Sequence, residues 1–295
     1  MSDHSSTRGS LVLETVRVIT RDTYPAGQYR LGLEAPRIAE RAQPGMFIHL
    51  GCDTSGRVRR PMSILGTENG VLEILFKTVG AGTHLLSRCT LGDRLSAIGP
   101  IGTPFSPDPK ADWIIAIGGG TGIPPLLFLL EKLANSITGQ RLVFFGGSEI
   151  PFPFETPNRR SPFPGVGKMA SRALGRLDRI GVPSALASRS GLPGTYPGYV
   201  TDLFNHWLTH AKITEQDHCQ VFSCGPRPLM MAVQEIAGRN GFDGALCLEE
   251  NMACAVGGCA GCVVPIREPS GLTMRRVCVD GPVFPIDRVL LGKGS

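Results

Sequence analysis

Four cysteines constrain this chain more than any other feature of its sequence. Cys254, Cys259 and Cys262 stand as C-x4-C-x2-C, and fifteen residues separate Cys262 from Cys278. This is the order of plant-type [2Fe-2S] ligation, in which a tight loop wraps one side of two irons and a distant thiolate closes the other. Ala253, Ala255, Gly257, Gly258, Ala260 and Gly261 keep the loop small, so backbone N–H groups can approach the cluster sulfides. Zinc also takes four thiolates, but zinc ribbons present two C-x2-C knuckles and only Cys259–Cys262 forms one here. Zinc and unligated buried thiols therefore stand as the alternatives. Cys52, Cys89, Cys219 and Cys247 read as small core hydrophobes. With nine cysteines and a polar stretch, read as a loose tail, over Met1–Ser10, neither a disulfide framework nor a secretory signal is expected.

The 295 residues suggest two or three domains. From Leu11 to about Phe105, short apolar runs alternate with turn residues (LVLETVRVIT, YRLGLE, MFIHLG, PMSILGT, VLEILFKTV), which predicts a small antiparallel barrel or sandwich. From about Ala111 strand-like runs (WIIAI, RLVFF, Pro183–Ser188, Gln220–Ser223, Ala245–Leu248) alternate with helical segments, the pattern of a doubly wound parallel sheet. The expected partition is a tail over 1–10, a barrel domain over 11–106, an α/β domain over 107–247 and a cysteine-rich domain over 248–295. The fold class is thus β plus α/β, in several domains. A Pro- and Arg-rich insertion at about 150–170 is too long for an ordinary strand-to-helix loop and reads as a solvated surface segment, with a partner-docking loop as the alternative.

Charge excludes some functions. Net charge is +5, and between Glu155 and Arg179 six basic residues face two acidic ones, a local +4 without interleaved stacking aromatics, so nucleic acid is not an expected partner. Trp113–Leu130 carries no charge and is long enough to span a bilayer. Its interior GGGTGIPP would break such a helix and suits a buried strand, a glycine turn and a helix instead. No membrane association is expected, and a cytoplasmic location is.

Two loops suit a nucleotide. Gly118-Gly119-Gly120-Thr121-Gly122 follows a strand and opens a helix, where backbone donors and a helix N-terminus can meet a pyrophosphate. Alone it is weak, since the spacing is not G-x-G-x-x-G. Ser223-Cys224-Gly225-Pro226 ends a later strand and would share the same edge of the sheet. In the barrel segment Arg60-Pro61-Met62-Ser63 and Gly80-Ala81-Gly82-Thr83 supply a cation, hydroxyls and a glycine turn, which suit a phosphate but also describe an ordinary surface.

The succession R-P-M-S-I, G-x-G-T, G-G-G-T-G-I-P-P, C-G-P-R-P, L-E-E-N-M-A-C-A-V-G-G-C-A-G-C and V-C-V-D-G-P-V-F resembles the electron-transfer subunits of type B dihydroorotate dehydrogenases, in the ferredoxin reductase superfamily. The resemblance runs from about Leu11 to Leu291. It implies FAD on the barrel, NAD(H) at the parallel sheet and a [2Fe-2S] cluster in the tail. Carried over by position, Arg60, Pro61, Met62 and Ser63 would line FAD, Leu75, Phe76 and Lys77 would flank the flavin, and Gly82 with Thr83 would bind its pyrophosphate. Gly119, Gly120, Thr121 and Gly122 would cradle the dinucleotide, Cys224 and Gly225 would lie near the nicotinamide, and Cys254, Cys259, Cys262 and Cys278 would hold the cluster. No general acid or base is implied. The implied partner is an FMN-containing dihydroorotate dehydrogenase catalytic subunit, in a heterotetramer serving pyrimidine biosynthesis. The alternative is a related FAD and [2Fe-2S] subunit of a sulfide dehydrogenase, hydrogenase or ferredoxin:NADP oxidoreductase.

The chain departs from the pattern at Met62, where many ferredoxin reductases carry tyrosine, and at Ser188-Arg189-Ser190-Gly191, where the family often shows an acidic D-D-G-S. Glu149, at the end of a strand, favours NADH because an acid there suits a free ribose hydroxyl, whereas Arg159 and Arg160 lie near enough in sequence to favour a 2′-phosphate.

Overall fold

The computed structural model describes residues 11–53, 55, 58–136, 139–160 and 163–292, so the tail expected over 1–10 lies outside the described residues. These residues form two compact units. One takes the chain up to Phe105 together with Leu248–Phe284 and Arg288–Leu290; the other takes Ser106–Cys247 with Pro285–Asp287 and the residues from Leu291.

The first unit is built on a closed antiparallel barrel, strand order β1–β2–β5–β4–β3–β6. Its strands are β1 (Val12–Tyr24), β2 (Gln28–Glu34), β3 (Phe47–Gly51), β4 (Arg59–Glu68), β5 (Val71–Lys77) and β6 (Arg94–Ile101). Alternation along β1 drives this closure: Val12, Val16 and Val18 are buried while Leu13, Thr15 and Arg17 face out. Asn69 and Gly70, both with positive φ, make the two-residue turn that matches the twist of β4 and β5. Two short helices, α1 (Pro36–Ala39) and α2 (Ala81–Leu86), lie on the barrel. The Glu14 carboxylate accepts the N–H groups of Arg37 and Ile38 and so satisfies the first turn of α1.

The second unit is a sheet of parallel strands in the order β11–β10–β7–β8–β9. They are β7 (Trp113–Gly119), β8 (Arg141–Gly147), β9 (Ser184–Ala187), β10 (Cys219–Cys224) and β11 (Asp243–Cys247), and the helices are α3 (Ile123–Ala134), α4 (Gly175–Arg179), α5 (Val200–Leu208) and α6 (Arg227–Asn240). Ile114–Ile117 is buried on both faces, as expected of a central strand in such a sheet. From β7 the chain builds outward through β8 and β9, then returns to lay β10 on the other side of β7. That reversal creates a crevice at the carboxyl ends of β7 and β10, the place where open α/β sheets bind ligands. The uncharged run 113–130 is thus a strand, a turn and the start of a 12-residue helix. No helix among the described residues is long and apolar enough to cross a membrane.

The insertion differs from the solvated segment its composition suggested. Phe152, Phe154 and Phe163 are buried, and the Phe163 ring lies 5.5 Å from that of Phe145 and 6.0 Å from that of Trp207. Its prolines and arginines hid a phenylalanine anchor that fills the space between β8 and α5. Residues 161 and 162 of the insertion lie outside the described residues.

The cysteine tail packs with the barrel. Its hairpin, β12 (Val263–Glu268) and β13 (Gly271–Arg276), is followed by a segment whose Gly281 carbonyl accepts the Thr103 N–H at 2.6 Å. A side chain on Gly102, at φ +94°, would meet Pro282 Cδ at 2.4 Å, so the two backbones touch where neither can carry a β-carbon outward.

Candidate functional site

The tail gathers its four cysteines as two pairs. Cys254 Sγ lies 3.4 Å from Cys259 Sγ, and Cys262 Sγ lies 3.3 Å from Cys278 Sγ. Two thiolates on one tetrahedral metal with bonds of about 2.3 Å stand roughly 3.8 Å apart, so each pair fits one metal ion. Among the described residues no three Cys, His, Asp or Glu side chains gather into one metal-holding group. Four thiols arranged as two close pairs suit a two-iron cluster, which takes two terminal ligands per iron.

The loop is shaped for this purpose. Ala255, Gly257 and Ala260 adopt positive φ, which turns N–H groups inward: the Cys259 amide points to Cys254 Sγ at 3.4 Å and the Gly261 amide to Cys259 Sγ at 3.5 Å. The Cys278 amide points to Cys262 Sγ at 3.5 Å, and Val277 N–H donates to the Cys262 carbonyl, tying the distant ligand to the loop. Arg276 bonds both Asp280 and the Gly257 carbonyl. Burial alone would raise the Cys254 thiol, but the N–H groups of Cys259, Val256 and Gly258 bring it down to about 7. Burial and then the neighbouring Cys262 push Cys278 up to about 12. Cys259 is exposed and Cys262 and Cys278 are buried, so the group of thiols has one edge towards solvent.

On the barrel, the R-P-M-S run opens β4. Arg59 is consumed structurally, donating to the carbonyls of His49 and Ser96 and to Ser96 Oγ. Arg60 is exposed and its guanidinium stem lies against Gly82, where an added β-carbon would stand 3.0 Å from Nε and 3.1 Å from Cζ. Thr83 Oγ1 accepts the N–H groups of Val79 and Gly80 and donates to the Gly80 carbonyl, fixing the turn beside Arg60. Arg60, Gly82 and Thr83 are therefore brought together, as an anionic ligand on this turn would require. Met62 and Leu75 are buried; Phe76 is also buried, its ring stacked on Tyr29 at 5.5 Å; Pro61, Ser63 and Lys77 are half-buried. Sequence spacing gave no weight to His49, which pairs with Pro61 across β3 and β4 and is 2% exposed with neither ring nitrogen hydrogen-bonded. Burial, then the charges of Arg59 and Arg60, lower its pKa to about 4. Only the lone histidine in an otherwise apolar strand could have signalled it.

At the sheet crevice, β7 ends in the turn Gly120–Gly122 and α3 follows with prolines in its first turn, where no amide partner is needed. Gly120 and Thr121 are exposed at this edge; Gly119 and Gly122 are buried. A β-carbon on Gly122 would lie 2.4 Å from the Cys224 carbonyl and the Gly225 nitrogen, so the two predicted loops meet backbone to backbone. Gly225 holds φ +147° and faces Gly119 in turn. Cys224 is fully buried, which leaves its backbone, not its thiol, at the crevice. Arg159 and Arg160 stay away from it: Arg159 bonds the carbonyls of Ser184 and Ala170 and lies over the Phe163 ring, and Arg160 pairs with Asp178. Glu149 is joined to Arg189 at 3.2 Å.

Comparison with known proteins points to one family. Residues 249–290 match the family described as the iron-sulfur cluster binding domain of dihydroorotate dehydrogenase B. The chain is 31% identical over 261 residues to a dihydroorotate dehydrogenase B (NAD(+)) electron transfer subunit of Desulforamulus reducens, covering 87% of this chain and 90% of that one. It is 28% identical over 291 residues to the protein of the same name from Shouchella clausii, covering 96% and 98%. Among solved structures, that of the NADH-dependent reduced ferredoxin-NADP oxidoreductase superposes with a TM-score of 0.75 at 20% identity, covering 94% of this chain and 90% of the other. A ferredoxin NADP+ reductase from Neisseria gonorrhoeae with bound FAD and NADP superposes at 0.57 and 15% identity, covering 78% and 92%.

Proposed function

The chain belongs to the dihydroorotate dehydrogenase B electron transfer subunits, and from that membership we propose how its residues divide the work of an oxidoreductase that carries FAD, NAD(H) and a [2Fe-2S] cluster. When bound, FAD would exchange electrons in pairs with the nicotinamide and singly with the cluster, the chemistry that a pair of irons alone does not offer. Arg60, with the turn Gly82–Thr83, holds the flavin's phosphates against the barrel, and Met62 and Leu75 give its ring an apolar wall. Gly119–Gly122 and the backbone of Cys224–Gly225 orient the dinucleotide at the sheet crevice. Cys254 and Cys259 hold one iron, and Cys262 and Cys278 the other.

An electron transfer subunit implies a catalytic partner. We assign that partner as an FMN-containing dihydroorotate dehydrogenase in a heterotetramer, with electrons moving from dihydroorotate, which becomes orotate, towards NAD+. Nine cysteines without a disulfide suit the reducing cytoplasm. The observation that carries the whole reading is the division of the four thiols into two pairs on the same compact unit as the barrel.

The test is the visible spectrum and metal content of the anaerobically purified chain, coexpressed with its catalytic partner, before and after NADH. Flavin and iron–sulfur bands that bleach with NADH, and orotate reduction by the complex, are the expected result. A colourless, zinc-containing protein overturns it.

A further inference from the structure

We propose that His206 and His210 form a surface site for an imidazole-seeking divalent metal ion of the Ni2+, Cu2+ and Zn2+ class. His206 stands in the last turn of α5 and His210 two residues past its end. None of the residues assigned to flavin, nucleotide or cluster takes part, so the inference is independent of those assignments.

Spacing and closure of the turn place both rings together. Residues four apart on a helix share one face, the spacing at which two histidines ligate a single zinc ion in helical metal sites. The turn stays tight to its end, because Thr209 N–H donates to the Asn205 carbonyl while the His210 and Ala211 N–H groups donate to that of Trp207. The two ring centroids consequently lie 4.5 Å apart. Two imidazoles each bound through nitrogen at about 2.1 Å, at a right angle about the metal, set their centroids about 4.6 Å apart. That angle belongs to octahedral and tetragonal ions, so Ni2+ and Cu2+ suit the pair best. The carbonyl end of a helix also favours a cation.

Hydrogen bonding fixes which nitrogen of His210 is available. Thr209 Oγ1 gives its own proton to the His206 carbonyl at 2.8 Å. His210 Nδ1 lies 2.9 Å from that carbonyl and 2.8 Å from Thr209 Oγ1. Both neighbours therefore accept from the ring, so Nδ1 carries the proton and Nε2 keeps the lone pair. A backbone carbonyl on the far nitrogen is the arrangement that orients ligand histidines and raises the basicity of the nitrogen that binds.

The scaffold under the rings is firm. Trp207, between them in the chain, is 2% exposed and packs on Phe145, Phe163 and Phe204. The insertion reaches the same turn at Gly165, φ +82°, where a β-carbon would stand 2.7 Å from His210 Cβ. His210 is exposed and His206 half-buried, so the remaining coordination positions open to water. No group of three Cys, His, Asp or Glu side chains forms among the described residues, which makes this a two-ligand, exchangeable site. His218 does not compete, since Asp243 holds its Nε2 at 3.2 Å.

Calorimetric titration of the untagged full chain with Ni2+ and with Mg2+ tests the site, the cluster being loaded so that its four cysteines are engaged. One Ni2+ binds per chain, and Mg2+, which seeks oxygen ligands, does not bind. His206→Ala and His210→Ala each weaken Ni2+ by about tenfold or more, whereas His218→Ala leaves it unchanged. Ni2+ also raises the thermal midpoint of the unmodified chain and of His218→Ala, but not of the other two variants. His210 is exposed, so His210→Ala keeps the fold and carries the test alone should His206→Ala fail to fold. Absence of Ni2+ binding, equal binding of Mg2+, or Ni2+ binding that survives either replacement overturns the assignment.

Discussion

Gly122 presses its Cα onto the Cys224–Gly225 peptide so closely that a methyl group there would stand 2.4 Å from the Cys224 carbonyl carbon and oxygen and from the Gly225 nitrogen. The contact fixes the separation of β7 and β10 where the crevice opens. Backbone cannot retreat as a flexible side chain would, so Gly122→Ala is expected to cost about 1–3 kcal/mol, read as a lower urea midpoint. NAD(H) affinity should fall with it, while iron and flavin contents hold, because their residues belong to the other compact unit.

The cysteine pairs separate cluster loss from folding. Cys259→Ser and Cys278→Ser are both expected to drop the iron content and the visible bands. In the iron-free chains they part: Cys259 is exposed, so its replacement stays within about 0.5 kcal/mol. Cys278 is 2% exposed, and burying a hydroxyl there costs about 1–3 kcal/mol. Denaturation of the two apo variants is the measurement.

Arg60 is the exposed cation against the Gly82–Thr83 turn. Arg60→Ala removes a charge-assisted contact of about 1.5–3 kcal/mol, so the FAD dissociation constant rises by roughly ten- to a hundredfold. Fluorescence of released flavin on dilution measures it. Arg59→Ala acts through the barrel instead, since Arg59 bonds the carbonyls of His49 and Ser96, and lowers the unfolding midpoint.

His49 gives stability an acid limb. Its pKa of about 4 in the folded chain lies below the ordinary 6.5 because burial, then Arg59 and Arg60, disfavour the imidazolium. Between those values the unfolded chain binds a proton that the folded chain refuses. The contribution is complete above pH 6.5 and is withdrawn as pH falls towards 4, by at most about 3 kcal/mol. Urea midpoints across that window should fall in the native chain and fall less in His49→Leu.

Phe163 anchors the insertion on Phe145 and Trp207. Phe163→Ala is expected to cost about 3–5 kcal/mol, comparable with a core deletion elsewhere. A surface segment would give almost no change in thermal midpoint.

That last case shows where sequence stopped. Barrel strands were readable because alternation is local: YRLGLE and VLEILFKTV each carry their own inward face, and Asn69-Gly70 names its own turn. The cysteines were readable because a ligand loop is short. Phe163 was not, since its partners Phe145 and Trp207 come from distant elements and its neighbours are proline and arginine. Glu149 was singled out by its position at a strand end, but Arg189, which binds it, arrives from the next strand, and only register brings the two together. His49 lacked any signal beyond its strangeness in an apolar strand, because what buries it is tertiary.

The backbone contact of Gly102 with Gly281 and Pro282 also decides what can be transplanted. A cluster segment that formed a body of its own could be grafted onto another reductase at a single junction. Here the acceptor would have to supply a glycine and a free amide, the roles of Gly102 and Thr103, at the matching barrel edge. The transferable part is therefore barrel and cluster loop together, although Ser106–Cys247 of the other unit separates them in the chain.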